Sequence, residues 1–209
     1  MKITKWEDYK SDMPEGVSGD WSVVKYVITE QDAEFHNMRS MFSFSCKGSR
    51  LVAGDYTKLM VGRNTMMSDT RDEIVDMYSF FLEAKGNILI NGLGLGVGLK
   101  AVLDNDKVDF VTVIEKEQDV IDLIAPRFLN DVKYKDRVDI IHADAFEWKP
   151  PKGVRYDVVW HDIWLNICTG NLDEMSKLHR KYGKRCDWQQ SWKRDMLLYE
   201  RQKEKRAGW

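Results

Sequence analysis

The sequence predicts an α/β fold: a mostly parallel sheet in the order 3-2-1-4, with a small β piece before it and a helical tail after it. Three observations carry this. Between residues 70 and 165, short apolar runs alternate with segments of helical period, the pattern of β–α–β units with right-handed crossovers. The first apolar run, 87–91, breaks into glycine at alternate positions, Gly92, Gly94, Gly96 and Gly98, before a helical segment. The second run, 109–114, ends in Glu115. A glycine turn between strand and helix, with an acid about twenty residues later at the tip of the next strand, is the pattern of a nucleoside-binding unit.

Each element has a local reason. In the N-terminal piece, residues 1–69, the run 21–28 is β-branched and aromatic, as strands are. Residues 51–53 and 56–61 flank Gly54-Asp55 and read as a hairpin. This piece is too small for its own core and is expected to pack on the segment from residue 70 onward. In that core, residues 70–165, Thr70 with Glu73 has capping-box spacing, and Ile74, Val75, Tyr78, Phe81 and Leu82 recur at helical spacing up to Gly86. Then come strand 87–91, helix 96–104, strand 109–114, helix 117–128, strand 137–141 and strand 156–161.

The tail, residues 166–209, shows no strand pattern. Asp187-Trp188 reads as a helix start that places Trp188, Trp192, Met196 and Tyr199 on one face. The tail is also basic, with Lys177, Arg180, Lys181, Lys184, Arg185, Lys193, Arg194, Arg201, Lys203, Lys205 and Arg206. Such a segment is either a nucleic-acid surface or an amphipathic helix that docks its tryptophans and solvates its charges, and the second is favoured.

The bulk numbers exclude several classes. The chain has 209 residues, 43% hydrophobic and 32% charged, with a formal net charge of -2, so it has material for a core and is not polycationic overall. Its three cysteines, Cys46, Cys168 and Cys186, are far apart, which predicts neither zinc ligation nor disulfides and fits a reduced, cytoplasmic setting. Residues 1–8 lack the apolar core of a leader segment, and no run approaches the length of a membrane span.

The candidate chemistry lies at strand tips. Gly92, Gly94 and Gly96 would form the loop beneath a ligand, with Gly98 left to packing. No Lys-Ser/Thr comes after them, so the loop is not an ATP-binding P-loop. Glu115 is placed to accept from a ribose diol. After strand 137–141, Asp144 can accept from an adenine amino group and Ala145 can offer its N–H, although Asp144 also suits a helix cap. After strand 156–161, Asp162 can orient or deprotonate an acceptor and Trp164 can wall its pocket. His161 has the proton affinity of a base, although a lone strand-end histidine is more often structural. No metal ligand set is expected.

From about Leu59 to Trp164 these residues resemble the Rossmann-like S-adenosylmethionine-dependent methyltransferases, and within them the spermidine synthase (aminopropyltransferase) branch. The carrying residues are Asp72-Glu73 with Tyr78, the loop from Gly92, Glu115, Asp144-Ala145-Phe146-Glu147-Trp148, and Tyr156 through Asp162. The resemblance implies S-adenosylmethionine as cofactor, with Gly92, Gly94 and Gly96 at its methionine end, Glu115 on ribose, Asp144 and Ala145 on adenine, and Asp162 at the reacting end. Leu95, Met67 and Leu165 stand where the aminopropyl branch carries an acid, a glutamine and a second acid. Methyl transfer to an unknown acceptor is therefore the leading expectation. The alternatives are aminopropyl transfer from decarboxylated S-adenosylmethionine and a cofactor-binding module without turnover. The fold of the family continues into strands 5–7, which the helical tail here would omit. A small-molecule acceptor is expected; nucleic acid through the tail, and a second subunit covering the sheet edge, are the other partners considered.

Overall fold

The computed structural model describes residues 5–42 and 50–206; the beginning of the chain and Cys46 lie outside the described residues. The N-terminal part is a four-stranded antiparallel sheet of β1 (Gly16–Ser18), β2 (Trp21–Ile28), β3 (Gly54–Val61) and β4 (Asn64–Ser68). Helix α1 (Glu30–Phe42) connects β2 to β3. Strand β2 turns Trp21 and Val23 inward, as its alternating pattern requires. The hairpin lies later than the sequence suggests. Gly54 and Asp55 extend β3 by pairing with Ile28 and Val27, and the chain turns at Gly62-Arg63, where Gly62 takes φ +56°.

Helices α2 (Arg71–Asp76) and α3 (Tyr78–Glu83) come next, separated at Met77. The expected capping box does not form, because Thr70 makes no side-chain cap. Glu73 reaches past it and accepts from the N–H of Ser68 (2.7 Å) and from its hydroxyl (2.6 Å). Helix α2 is thereby fastened to the end of β4.

The second sheet is five-stranded and parallel throughout. Its chain order is β5 (Gly86–Asn91), α4 (Val97–Leu103), β6 (Val108–Glu115), α5 (Gln118–Ile124), α6 (Pro126–Leu129), β7 (Val138–His142), β8 (Tyr156–His161), α7 (Asn171–Tyr182), β9 (Cys186–Ser191) and α8 (Arg194–Arg206). The helix expected over 117–128 breaks before Pro126, whose ring cannot donate to the preceding turn. The spatial order is β7-β6-β5-β8-β9. The first four strands therefore stand as 3-2-1-4, and the tail adds a fifth beside β8.

That fifth strand corrects the reading of a strandless helical tail. Cys186-Asp187-Trp188-Gln189-Gln190-Ser191 has no β-branched residue, so propensity alone does not mark it. Pairing with β8 holds it, from Tyr156 opposite Cys186 to His161 opposite Ser191. Trp188 and Trp192 do pack on the core, but from the strand and its exit, while Met196 and Tyr199 of α8 are exposed.

Alternation along the strands divides the core. Ile88, Ile90, Val158 and Trp160 face a layer formed by α3, α4, α5 and the antiparallel sheet. Leu89 and Val159 face α7, whose Leu172, Met175, Leu178 and Tyr182 are buried, together with Leu197 of α8. The antiparallel sheet is tied to the first layer by the Ser18 hydroxyl donating to Asp119 (2.7 Å), and the segment before β1 by Arg127 donating to Asp12 (2.8 Å). Among the described residues no helix is long and apolar enough to cross a membrane.

The tail is thus part of the core. Leu197 is fully buried, so Leu197→Ala is expected to cost about 2–5 kcal/mol in urea unfolding. Deleting residues 187–209 removes β9 with it and is expected to abolish a cooperative melt; an unchanged transition would show that the tail is peripheral.

Candidate functional site

The order of the parallel sheet reverses between β5 and β8, and ligand crevices in such sheets open there, beyond the carboxyl ends of the strands. A cavity of about 330 Å³ lies at this place. Its floor is set by two exits. The N–H of Gly92 continues the sheet by donating to Ile114 (2.8 Å), and the N–H of Asp162 donates to the Asn91 carbonyl (2.8 Å). Gly92 takes φ +99°, and a Cβ there would lie 2.0 Å from the Asp162 carbonyl oxygen. The turn therefore requires glycine because β8 leaves directly beside it.

The glycines divide their work. Gly92 and Gly94 line the cleft. Gly96 does not: a Cβ on it would stand 2.9 Å from the Phe128 ring, so it allows α4 to pack on α6. Gly98, read as a packing residue, does line the cleft while also lying against Met77 and Phe80. Above the loop sits Met67 of β4, whose sulfur accepts weakly from the Leu95 N–H (3.3 Å).

Glu115 ends β6 and is 9% exposed. Its Oε2 accepts from the Leu93 N–H (2.8 Å), and its Oε1 accepts from the N–H groups of Lys116 (2.8 Å) and Glu117 (2.9 Å). The carboxylate thus holds the glycine loop against the exit of β6. A carboxylate has about four acceptor directions, so one remains for a ligand hydroxyl.

Beyond β7 the chain forms a single turn. The Asp144 carboxylate accepts from the Phe146 N–H (2.7 Å) and pairs with Lys116 (3.1 Å). Burial works against its charge, but the Phe146 N–H and the Lys116 ammonium outweigh it and hold the carboxyl below the ordinary range. Asp144 therefore caps its own turn, as its suitability for a cap suggested, and still lines the cleft with Ala145. The Ala145 N–H has no partner among the described residues.

At the opposite end stands Asp162, just past β8. Burial, reinforced by the charges of Glu73 and Asp76, pushes its carboxyl up to about 7, and a hydrogen bond from the Trp160 side chain offsets this only in part. Glu73 is likewise raised by burial, against its bonds from Ser68. Sequence spacing concealed this acidic group, because Glu73 and Asp76 come from α2 and meet Asp162 only in the fold. The walls at this end are apolar: Trp21, Leu59, Met66, Met77, Trp160 and Trp192. Lys193, directly after Trp192 and with φ +57°, pairs with Asp76 and fixes this wall to α2.

His161 is not part of the cleft, which corrects its reading as a base. Successive side chains alternate across a strand, so His161 faces away from Trp160. It is fully buried beside His179 and Tyr182. Its Nδ1 accepts from the Asn91 amide (2.7 Å), which leaves its proton on Nε2, 3.4 Å from Gln189 Oε1. His179 is bonded to the Ser191 hydroxyl (2.9 Å). Trp164, in contrast, is in the cleft wall, and its indole donates to Glu174 of α7 (2.8 Å). Among the described residues no group of three or more His, Cys, Asp or Glu side chains is placed to hold a metal ion.

No protein-family model matches the chain, and no curated protein matches it. Among solved structures it is similar to the CcbJ methyltransferase from Streptomyces caelestis, at 18% identity over 54% of this chain and 43% of that one, with a TM-score of 0.43. It is also similar to a dimethyladenosine transferase from Plasmodium falciparum, at 21% identity over 43% of this chain and 30% of that one, with a TM-score of 0.35. A third is the glycopeptide N-methyltransferase MtfA complexed with sinefungin, at 17% identity over 53% of this chain and 44% of that one, with a TM-score of 0.41. The chain spans less than half the length of each.

His161, fully buried, and His179, half-buried, give the fold an acid limit. Burial pushes His161 down to about 3; burial and the Arg194 charge push His179 down to about 4. An unfolded chain takes up these protons near pH 6.5, so it binds more protons than the folded one below that value. Stability is expected to be full above about pH 6.5 and to fall steadily towards pH 4. Melting curves across this range test it, and His179→Gln should flatten the slope.

Proposed function

We propose that the chain is an S-adenosylmethionine-dependent methyltransferase acting on a small-molecule acceptor. One observation carries this reading: a single cleft at the sheet's switch point gathers Gly92, Gly94, Glu115, Asp144, Ala145 and Asp162. The groups fit the donor's parts in sequence along the cleft. Ala145 has an N–H and Asp144 a carboxylate for an adenine edge, Glu115 has an acceptor direction left for a ribose hydroxyl, and Gly92 and Gly94 keep the floor clear of side chains. When bound, the donor supplies a methyl group activated by its sulfonium. The chain's own part is to align the acceptor and to receive a proton. Asp162 suits that part, because a carboxyl raised to about 7 can change its protonation state near neutral pH.

Calorimetric titration with S-adenosylhomocysteine tests the donor site. Binding is expected in the wild type, and Glu115→Ala should weaken it by about 1.5–3 kcal/mol, through loss of the ribose bond and of the acceptor that shapes the loop. Unchanged affinity in a folded variant would remove Glu115 from the site. For Asp162, turnover is expected to rise with pH through about 7, where the carboxyl ionises. Asp162→Asn should flatten that profile and lower the rate about 100-fold while donor affinity shifts by less than about 1 kcal/mol. A large loss of donor affinity would move Asp162 to the methionine end.

The acidic group favours a second reading, aminopropyl transfer to a diamine. Glu73 lines the cleft with Asp162 and provides a second carboxylate for an ammonium, although Asp76 is already paired with Lys193 and Leu95 and Leu165 occupy the positions where sequence resemblance looks for acids. Supplying decarboxylated S-adenosylmethionine with putrescine separates the two readings: spermidine as product would replace methyl transfer.

A further inference from the structure

The one-turn segment after β7 ends in carbonyls that no backbone N–H reaches among the described residues. Three of them converge on one side chain from the far layer. The Lys181 ammonium of α7 donates to the carbonyls of Ala145 (2.7 Å), Phe146 (3.0 Å) and Trp148. A lysine has three N–H donors, so all are used. Among the described residues no carboxylate forms an ion pair with Lys181; burial lowers its pKa, and the nearby Asp144 charge offsets this only in part. The contact is reinforced by packing, since Ala145 and Trp148 belong to the same apolar cluster as Leu178 and Tyr182 of α7.

This turn carries Asp144 and Ala145, which both line the cleft, and the Ala145 N–H has no partner among the described residues. We propose that Lys181 is a positioning residue for base recognition, holding the turn 144–148 so that acceptor and donor are set at the spacing of an adenine edge. The inference rests on the donor-binding reading of the cleft. Its physical content is that three converging carbonyls repel one another without a cation between them, and the turn then opens. An adenine presents an amino donor beside a ring-nitrogen acceptor, and hypoxanthine reverses both. A site with fixed partners rejects the reversed base strongly, whereas one whose partners move does not.

The test is the ratio of two dissociation constants, S-adenosylhomocysteine against S-inosylhomocysteine, measured by calorimetry well below the melting temperature. The wild type is expected to favour the adenine compound by roughly 30-fold or more. Lys181→Met, which keeps the apolar stem, should reduce the ratio to about threefold or less, with Lys181→Gln as a milder variant if the first does not fold. Equal weakening of both compounds, with the ratio preserved, would assign Lys181 a general structural role and overturn the proposal. Failure of the wild type to bind S-adenosylhomocysteine would instead overturn the donor-site reading beneath it.

Discussion

The cleft depends on the absence of one side chain. At Gly92 the exit of β5 and the exit of β8 come so close that a Cβ would meet the Asp162 carbonyl at 2.0 Å. That proximity allows the Asp162 N–H to bond Asn91 and places the acid beside the glycine loop. A larger residue would push the two strand ends apart, and with them the floor and the acidic end of the cleft. Glu115 completes the arrangement from the other side by binding the Leu93 N–H. The loop is therefore pinned on both flanks, by main-chain bonds at Gly92 and Asp162 and by the Glu115 carboxylate at Leu93.

Behind this floor lies a polar layer in an otherwise apolar interior. Asn91, His161, Gln189, His179 and Ser191 are linked from the central strand β5 to the edge strand β9. Buried polar groups cost free energy unless they are paired, so such a chain favours the register that forms these bonds, although the Asn91 Oδ1 stays without a partner among the described residues. This supplies what β9 lacks in propensity. Gln189 and Ser191 face partners that only the observed pairing with β8 provides, and that pairing brings α7, with Lys181, against the loop after β7.

The same physics decides how much of the molecule was legible in its sequence. The strands β5, β6 and β8 are buried on both faces and read as apolar runs, and Glu115, Asp144 and Asp162 are found from the tips of such runs. Strand β9 was hidden because its stability comes from neighbours and not from its residues. The grouping of Glu73 and Asp76 with Asp162 was hidden because it joins segments some ninety residues apart. His161 is different. If Trp160 and Asp162 share a face, the period of a strand already turns His161 to the other, so its exclusion from the cleft was present in the sequence and masked by the attraction of a histidine. The role of Gly96 was not legible, since a packing glycine and a cradle glycine look alike until Phe128 is in place.

The wall of the cleft comes from far along the chain. Trp21, Leu59 and Met66 belong to the antiparallel sheet, Ile90 and Glu115 to the parallel one, and Trp192 to the exit of β9. An occupant that touches all three fastens separate parts of the polypeptide to one another, and unfolding any of them releases it. Occupancy therefore adds to global stability, by about 2.7 kcal/mol at a hundred times the dissociation constant. The molecule is in this sense its own indicator: heat resistance in the presence of a candidate compound reports that the compound binds the folded chain, and loss of that gain in a cleft variant assigns it to the cleft, before any reaction has been named.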